Sequence, residues 1–318
     1  MKKGQTKGVQ AALTSALFFG LAPIFGRQAI LFGLSPLAVV ALRTSMATGL
    51  LVIIIALTRR DYLYIFPLGL AGCFLAGTIN GVGSILYYMA LGRLSASIGQ
   101  LLYSLYPMFV VLWAFLDREP PSKMTMIRMG LATLAVIFIT NVNVGDVDII
   151  GVGLMLTASA LYALHLPINQ RVLFEVPAPT VTIYTLIAMS AVVVPAYFLF
   201  DKQLPTGDVV WWPVIGLTLV TVLSRLTLFL GVKSIGGLQT ALLGLGELLV
   251  TVTVGYIWLH EELSWLQWIG VAGLAASLLL VKFDKKRPGR GQGPGGWLSW
   301  IRPPRPHIPS DIPWGPYN

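Results

Sequence analysis

Long apolar stretches recur along this chain of 318 residues, and they constrain its fold more than any other feature. A transmembrane helix needs about 20 consecutive, mainly apolar residues. Only 11% of the residues are charged, compared with about 25% in a soluble domain, so a water-soluble globule is excluded. We predict an all-α membrane protein with ten transmembrane helices, at residues 9–31, 36–57, 64–90, 96–116, 124–141, 149–171, 178–200, 210–232, 236–258 and 264–282.

The distribution of Lys and Arg predicts how these helices are oriented, because cytoplasmic loops carry an excess of both residues. Ten spans place both termini on one side, and that side collects most of the positive charge. Its basic residues are Lys2, Lys3, Lys7, Arg59, Arg60, Arg118, Lys123, Arg128, Arg171, Lys233 and the group from Lys282 to Arg290. Both termini are therefore expected to be cytoplasmic, in the plasma (inner) membrane of a prokaryote-like cell. The net charge of +9 is scattered among apolar runs, which does not indicate nucleic-acid binding.

The C-terminal segment, residues 284–318, has a different composition from the rest of the chain. It holds eight of the 20 prolines and six of the 33 glycines. Such a segment buries too little apolar surface to fold, so we predict a disordered cytoplasmic tail. Two interpretations stay open, a solvated extension or a weak docking site for a partner protein.

An internal repeat divides the rest of the chain. Shifting the sequence by 143 positions aligns "GVQAALT" at Gly8 with "GVGLMLT" at Gly151, and it pairs Pro36 with Pro179, Leu116 with Leu259, and Glu119 with Glu262. Five helices separate the copies, so the second copy enters the membrane from the opposite face. The pattern predicts two inverted five-helix repeats, residues 8–141 and 149–282, around a central cavity, an arrangement typical of transporters.

Each half ends with an apolar helix, an acidic residue, a turn and a last helix that contains glycine. The two segments read "SLYPMFVVLWAFLDREPPSKMTMIRMGLATLAVIFI" and "GELLVTVTVGYIWLHEELSWLQWIGVAGLAASLLLV", and "PLAVVALRTSMATGL" surrounds Arg43. This pattern is similar to that of the EamA-type drug/metabolite transporters. Many members carry Glu-Pro in the ninth helix, whereas Leu248 follows Glu247 here and the first half retains Pro107.

The resemblance implies a ten-helix secondary transporter that works by alternating access and carries out its transport without a cofactor. Export of small metabolites, amino-acid-like or drug-like solutes is the expected activity. An uncoupled facilitator remains an alternative, and so does a non-transporting membrane anchor whose tail recruits a partner.

Four charged residues are predicted to lie at membrane depth: Glu247, Arg27, Arg43 and Arg225. A charge at the centre of a membrane helix costs about 2.5–3.5 kcal/mol on insertion scales and usually serves a function. Arg225 lies about 10 Å and Glu247 about 16 Å from the predicted cytoplasmic helix ends, at 1.5 Å per residue. In one interpretation Glu247 and Arg225 form a structural ion pair. In the other, Glu247 binds a proton or an ammonium group and the arginines bind a carboxylate.

Uncharged polar residues and prolines complete the candidate site. His165 titrates near neutral pH when unperturbed, although a lone histidine in an apolar helix is also typical of packing. Asn80, Tyr103 and Tyr106 add polar groups that either line the cavity or pack helices together. Paired interruptions in corresponding helices point to a transporter's binding site. We therefore expect breaks in helices one and six, at Pro23 and Pro167.

Motifs for other functions are missing from the sequence. It contains no HExxH, GxSxG, phosphate-binding lysine loop or CxxC, which are the patterns of common hydrolases, nucleotide-binding proteins and redox proteins. One cysteine and three histidines make a metal site unfavourable. An enzyme, including one that acts on lipids, is therefore the disfavoured class.

Overall fold

The computed structural model of the protein describes residues 3–91, 93–94, 102–116, 121–140, 148–201, 210–258 and 264–283. Within these ranges every regular element is helical. The α-helices are α1 (Lys3–Leu31), α2 (Pro36–Thr58), α3 (Pro67–Leu91), α4 (Tyr106–Leu116), α5 (Lys123–Thr140), α6 (Ile149–Val172), α7 (Ala178–Phe200), α8 (Trp212–Ile235), α9 (Gly237–Gly244), α10 (Gly246–Trp258) and α11 (Trp265–Leu279). Short 3₁₀ turns cover Arg60–Leu63 and Leu280–Phe283. The predicted tail, residues 284–318, lies outside the described residues.

Six of these helices, α1, α2, α3, α6, α7 and α8, are long and apolar enough to cross a membrane. Large apolar side chains cover their outer surfaces. Leu57, Leu199 and Phe200, for example, are each more than 70% exposed. A bundle that turns such residues outward suits a lipid environment, and helices satisfy their own backbone hydrogen bonds there. The all-helical membrane fold is thus confirmed.

Local sequence signals explain where several helices begin. Ser35 caps α2 by accepting a hydrogen bond from the Ala38 amide at 3.1 Å, and Pro36 occupies the first turn. Ser264 and Gln267 form a reciprocal capping box at the start of α11. These caps satisfy backbone donors that have no partner within the helix.

The ninth predicted span is divided into two helices, α9 and α10, which meet at Leu245. A tight turn follows, in which the Leu248 amide donates to the Leu245 carbonyl at 3.1 Å. The fourth span has a similar turn, because the Met108 amide donates to the Leu105 carbonyl at 2.9 Å just as α4 begins. Residues 96–101 of that predicted span lie outside the described residues.

The two prolines expected to interrupt helices do not do so. α1 continues through Pro23, and α6 continues through Pro167. Proline removes one backbone donor and crowds the preceding turn, but the hydrogen bonds on either side keep both helices continuous. The interruptions fall in spans four and nine instead.

Helices from the two predicted halves pack against each other in matching pairs. The most extensive contacts are between α1 and α8 and between α3 and α6. Because α6 is the fifth span after α1 and α8 is the fifth span after α3, the two pairs correspond to each other in the predicted repeat. Gly8 of α1 lies against Ser234 and Ile235. At the corresponding position, Gly151 of α6 lies against Arg93 and Leu94.

An ion pair reinforces the second of these contacts. Arg93 Nη1 lies 2.9 Å from Asp148 Oδ2, and Asp148 also caps α6 by accepting from the Ile150 and Gly151 amides. The hydrogen bond from Arg93 and those backbone amides hold the pKa of Asp148 below its ordinary value. A lowered folded-state pKa means that this carboxylate stabilises the fold near neutral pH, and that the contribution is lost as the pH falls through that pKa.

Gly77 and Gly81, spaced as GxxxG, bring α3 close to α7. A methyl group at Gly77 would collide with the Thr185 carbonyl and would lie 2.6 Å from Ala188 Cβ. One at Gly81 would lie 3.0 Å from Val192 Cβ. This close approach agrees with the role of small residues in membrane helix contacts.

We expect Gly77→Ala to destabilise the bundle by about 1–3 kcal/mol, because α3 and α7 must separate to admit the methyl group. Gly49→Ala in α2 is the matched control, since no heavy atom lies within 4 Å of its added Cβ. Thermal unfolding in detergent measures both variants. Equal melting temperatures for Gly77→Ala and Gly49→Ala would contradict the described packing.

Candidate functional site

A cluster of polar and aromatic side chains lies where the two halves of the bundle meet. The first half contributes Phe19, Arg43, Asn80, Tyr87, Tyr103 and Tyr106, and the second contributes Tyr162, His165, Arg225 and Glu247. We refer to these ten residues as the central cluster. Arg225, His165 and Asn80 are almost fully buried, whereas Arg43, Tyr162 and Glu247 are only half-buried. The cluster is therefore not completely sealed.

Arg225 is held in place by uncharged groups. With the Asn80 amide assigned from its hydrogen bonding, its oxygen accepts from Arg225 Nη1 at 3.1 Å and Nη2 at 2.9 Å. Nη1 also donates to His165 Nε2 at 3.5 Å. The Phe19 ring centroid lies 5.6 Å from the guanidinium carbon, within the range of a cation–π interaction.

His165 contacts Arg225 through one ring nitrogen and its own helix through the other. Its Nδ1 is hydrogen-bonded to the Tyr162 carbonyl. Since Nε2 faces an arginine donor, it acts as an acceptor, and Nδ1 therefore carries the proton. The contacts favour the neutral imidazole, which orients the guanidinium without adding a second positive charge beside it.

Four tyrosines form the aromatic part of the cluster. Tyr103 lies 4.9 Å from Tyr87 and 5.5 Å from Tyr162, and Tyr106 lies 5.0 Å from Tyr162, all between ring centroids. These separations are typical of interacting aromatic pairs. Tyr103 and Tyr162 lie within electrostatic range of both Arg225 and Glu247.

At each interrupted span, a hydroxyl group from the other half donates a hydrogen bond to a backbone carbonyl. Tyr106 donates from its hydroxyl to the Ala241 carbonyl at 2.8 Å, where α9 ends. Ser159 of α6 donates to the Tyr103 carbonyl at 2.9 Å, where the fourth span turns. Carbonyls at such turns lack their usual helical donors, and in lipid each one must find a partner within the protein. Glu247 lies in the first turn of α10, within electrostatic range of Tyr106.

The structure thus brings together seven of the ten residues that the sequence singled out. They are Glu247, Arg43, Arg225, His165, Asn80, Tyr103 and Tyr106. Arg225 and Glu247 do not form an ion pair with each other in the described part of the chain. The side chains of Pro23 and Arg27 fall outside what the structure describes, and the role of Pro167 beside the site stays a prediction.

Sequence reasoning missed Phe19, Tyr87 and Tyr162. Aromatic residues are abundant throughout the chain, so no local signal distinguishes these three. Their partners lie on other helices: Phe19 contacts Arg225, and Tyr87 and Tyr162 contact Tyr103.

Arg128, one of the basic residues expected on the cytoplasmic side, is fully buried. Its Nε donates to the Ser277 carbonyl at 3.1 Å, and Nη1 donates to Gln239. Arg128 therefore ties α5 to α9 and α11.

The fold and the site define the class of the protein as a multi-pass helical membrane protein with buried charges at its centre. The sequence pattern of the EamA-like transporter family matches the chain twice, over residues 6–141 and 149–283. The chain therefore belongs to the EamA-like transporter family, and the resemblance noted from its sequence is confirmed.

Two individual proteins show how far the similarity extends. The uncharacterized transporter YcbK of Bacillus subtilis (strain 168) is 24% identical over 221 residues, which is 65% of this chain and 70% of YcbK. A protein of known crystal structure has the same fold, with a TM-score of 0.73 and 17% identity over 87% of this chain and 97% of that protein.

We expect Tyr106→Phe to loosen the interruption between α9 and α10, because the Ala241 carbonyl loses its donor. The free energy of unfolding should fall by about 0.5–1.5 kcal/mol. Hydrogen exchange of the amides from Leu245 to Leu249 should become faster. Tyr184→Phe is the matched control, since Tyr184 also donates to a backbone carbonyl, that of Leu63. Unchanged exchange at the interruption in Tyr106→Phe would show that this hydrogen bond does not stabilise the interruption.

Proposed function

We propose that this protein is a secondary transporter that exports small organic solutes, amino-acid-like or drug-like, by alternating access. The observation that carries the proposal is the central cluster, in which both halves of the bundle contribute charged residues to one site. A charge buried among membrane helices is costly and is typically retained for function. Membership of the EamA-like transporter family supports the same conclusion.

The mechanism requires a site that opens to one side of the membrane at a time. Two inverted repeats provide this when one half rocks against the other around a fixed site. The matching pairs α1–α8 and α3–α6 support this arrangement, because they are exchanged by the five-span shift. In the proposed cycle, separation of one pair opens the site to one side while the other pair stays closed.

Uptake into proteoliposomes tests the proposal directly. A labelled panel of amino acids and metabolites is offered to purified protein with and without an inward-acid pH gradient. Saturable, solute-selective flux supports a transporter. Absence of flux across the panel from folded, oriented protein would instead favour the membrane-anchor alternative, in which deletion of residues 284–318 abolishes function.

The proposed location is the plasma (inner) membrane, with both termini in the cytoplasm. Fusion of green fluorescent protein to the C-terminus should therefore fluoresce, and alkaline phosphatase fused there should be inactive. Fusions after Asp201, which follows the seventh span, should give the opposite results. Active alkaline phosphatase at the C-terminus would overturn the orientation.

We further propose that Glu247 couples transport to protons. Glu247→Gln removes the titratable group but preserves its size, so uphill transport should be lost while solute exchange continues. Glu175→Gln, in the turn between α6 and α7, is the matched control and should retain both activities. Uphill transport at the wild-type rate in Glu247→Gln would leave an uncoupled facilitator.

A further inference from the structure

The hydrogen bonds of Arg225 leave one edge of its guanidinium group available. A guanidinium has five N–H donors in a planar fork. Asn80 takes one donor from each Nη atom, and His165 takes a second donor from Nη1. Among the described residues two donors remain without a partner, the Nε–H and the second Nη2–H, and both lie along the same edge of the planar group. The Nε atom is buried and has no hydrogen-bond partner among the described residues.

This available edge has the geometry that a carboxylate recognises. Two parallel N–H donors bind the two oxygens of a carboxylate in a bidentate pair. Buried polar groups are normally satisfied within the protein, so an unsatisfied donor on a charged, 94% buried side chain needs an explanation. Its relative exposure is only 6%. A ligand that fills the edge accounts for the unsatisfied donor.

Electrostatics favours an anionic group at the same place. Arg43 lies within electrostatic range of Arg225, and its own Nε is buried without a hydrogen-bond partner in the described structure. Arg225 is held by a neutral amide and an imidazole rather than by an ion pair with Glu247. Two neighbouring cations, of which Arg225 has only neutral hydrogen-bond partners among the described residues, attract an anion and disfavour a cation.

The surface beside Arg225 is aromatic. It indicates what kind of solute body the site accepts, in addition to the charge. Tyr103 and Tyr162 lie within electrostatic range of Arg225, and Phe19 covers one face of its guanidinium. Aromatic rings contribute large contact areas and pack well against other rings.

We propose that the transported solute carries a carboxylate, bound by the Nε–Nη2 edge of Arg225 with Arg43 as the second cation, and an apolar or aromatic body packed against the tyrosines. The inference rests on the proposed transport function. A carboxylate is required, so acids and zwitterions are substrates, whereas amines and neutral amides of the same shape are not.

Four solutes that share a phenyl group test this requirement: 3-phenylpropanoate, phenylalanine, 2-phenylethylamine and 3-phenylpropanamide. Counterflow into preloaded proteoliposomes measures their exchange and depends neither on the direction of transport nor on proton coupling. Wild-type protein should exchange the first two at least tenfold faster than the amine and the amide.

Asn80→Asp provides a nearly isosteric test of the site. The new carboxylate neutralises Arg225 through the Nη edge and leaves the Nε edge in place, so acid exchange should fall about 10- to 100-fold, the range expected for losing a charge-assisted hydrogen bond. The melting temperature should be unchanged or higher, because a buried arginine gains an ion pair. Asn80→Ala is the matched control, and it should keep the preference for acids over amines.

The outcomes separate this inference from the transport function itself. Three results together support the carboxylate site: wild-type protein exchanges the acids selectively, Asn80→Asp loses this exchange, and Asn80→Ala still prefers acids over amines. Equal exchange of amine, amide and acid, or an unchanged acid preference in Asn80→Asp, overturns the site while leaving transport intact. No exchange of these solutes or of the wider panel of amino acids and metabolites by folded protein overturns the proposed function as well.

Discussion

The rest of this structure depends on one constraint, that backbone and charged groups within a bilayer must find their partners inside the protein. Uninterrupted helices meet it for most of the chain. At the two interrupted spans it is met across the halves of the bundle, by Tyr106 at the Ala241 carbonyl and by Ser159 at the Tyr103 carbonyl. The same hydroxyl groups that satisfy the backbone therefore also join the two halves beside the site.

The charged side chains meet this constraint in a different way from the backbone. The structural interpretation of Arg225 required an ion pair with Glu247, which the two residues do not form with each other. Arg225 instead has neutral partners, Asn80 and His165, which orient the guanidinium and preserve its positive charge. This arrangement is less favourable for stability than pairing would be, since desolvation of the cation is uncompensated. It is favourable for a protein that binds an anion and must release it again.

The sequence located most residues of the site but not the interactions among them. Glu247, Arg43 and Arg225 stand out because charges are rare in apolar runs. Phe19 and Tyr162 do not stand out, because aromatic residues are common in membrane helices. Prolines suggested breaks at Pro23 and Pro167, yet α1 and α6 are continuous. The interruption at Leu245 has a glycine on either side but no proline, and Tyr106 donates to the Ala241 carbonyl beside it.

By itself the sequence determined that the chain is a helical membrane protein, where most of its helices lie and that Glu247, Arg43 and Arg225 fall within apolar spans. Apolar length and the cost of desolvating charge suffice for those conclusions, because both act locally along the chain. Only the tertiary structure decided that Arg225 contacts Asn80 and His165, that Arg128 is buried rather than exposed, and which spans are interrupted. These features depend on residues 56 or more positions apart in sequence, and their contacts arise only when the helices pack.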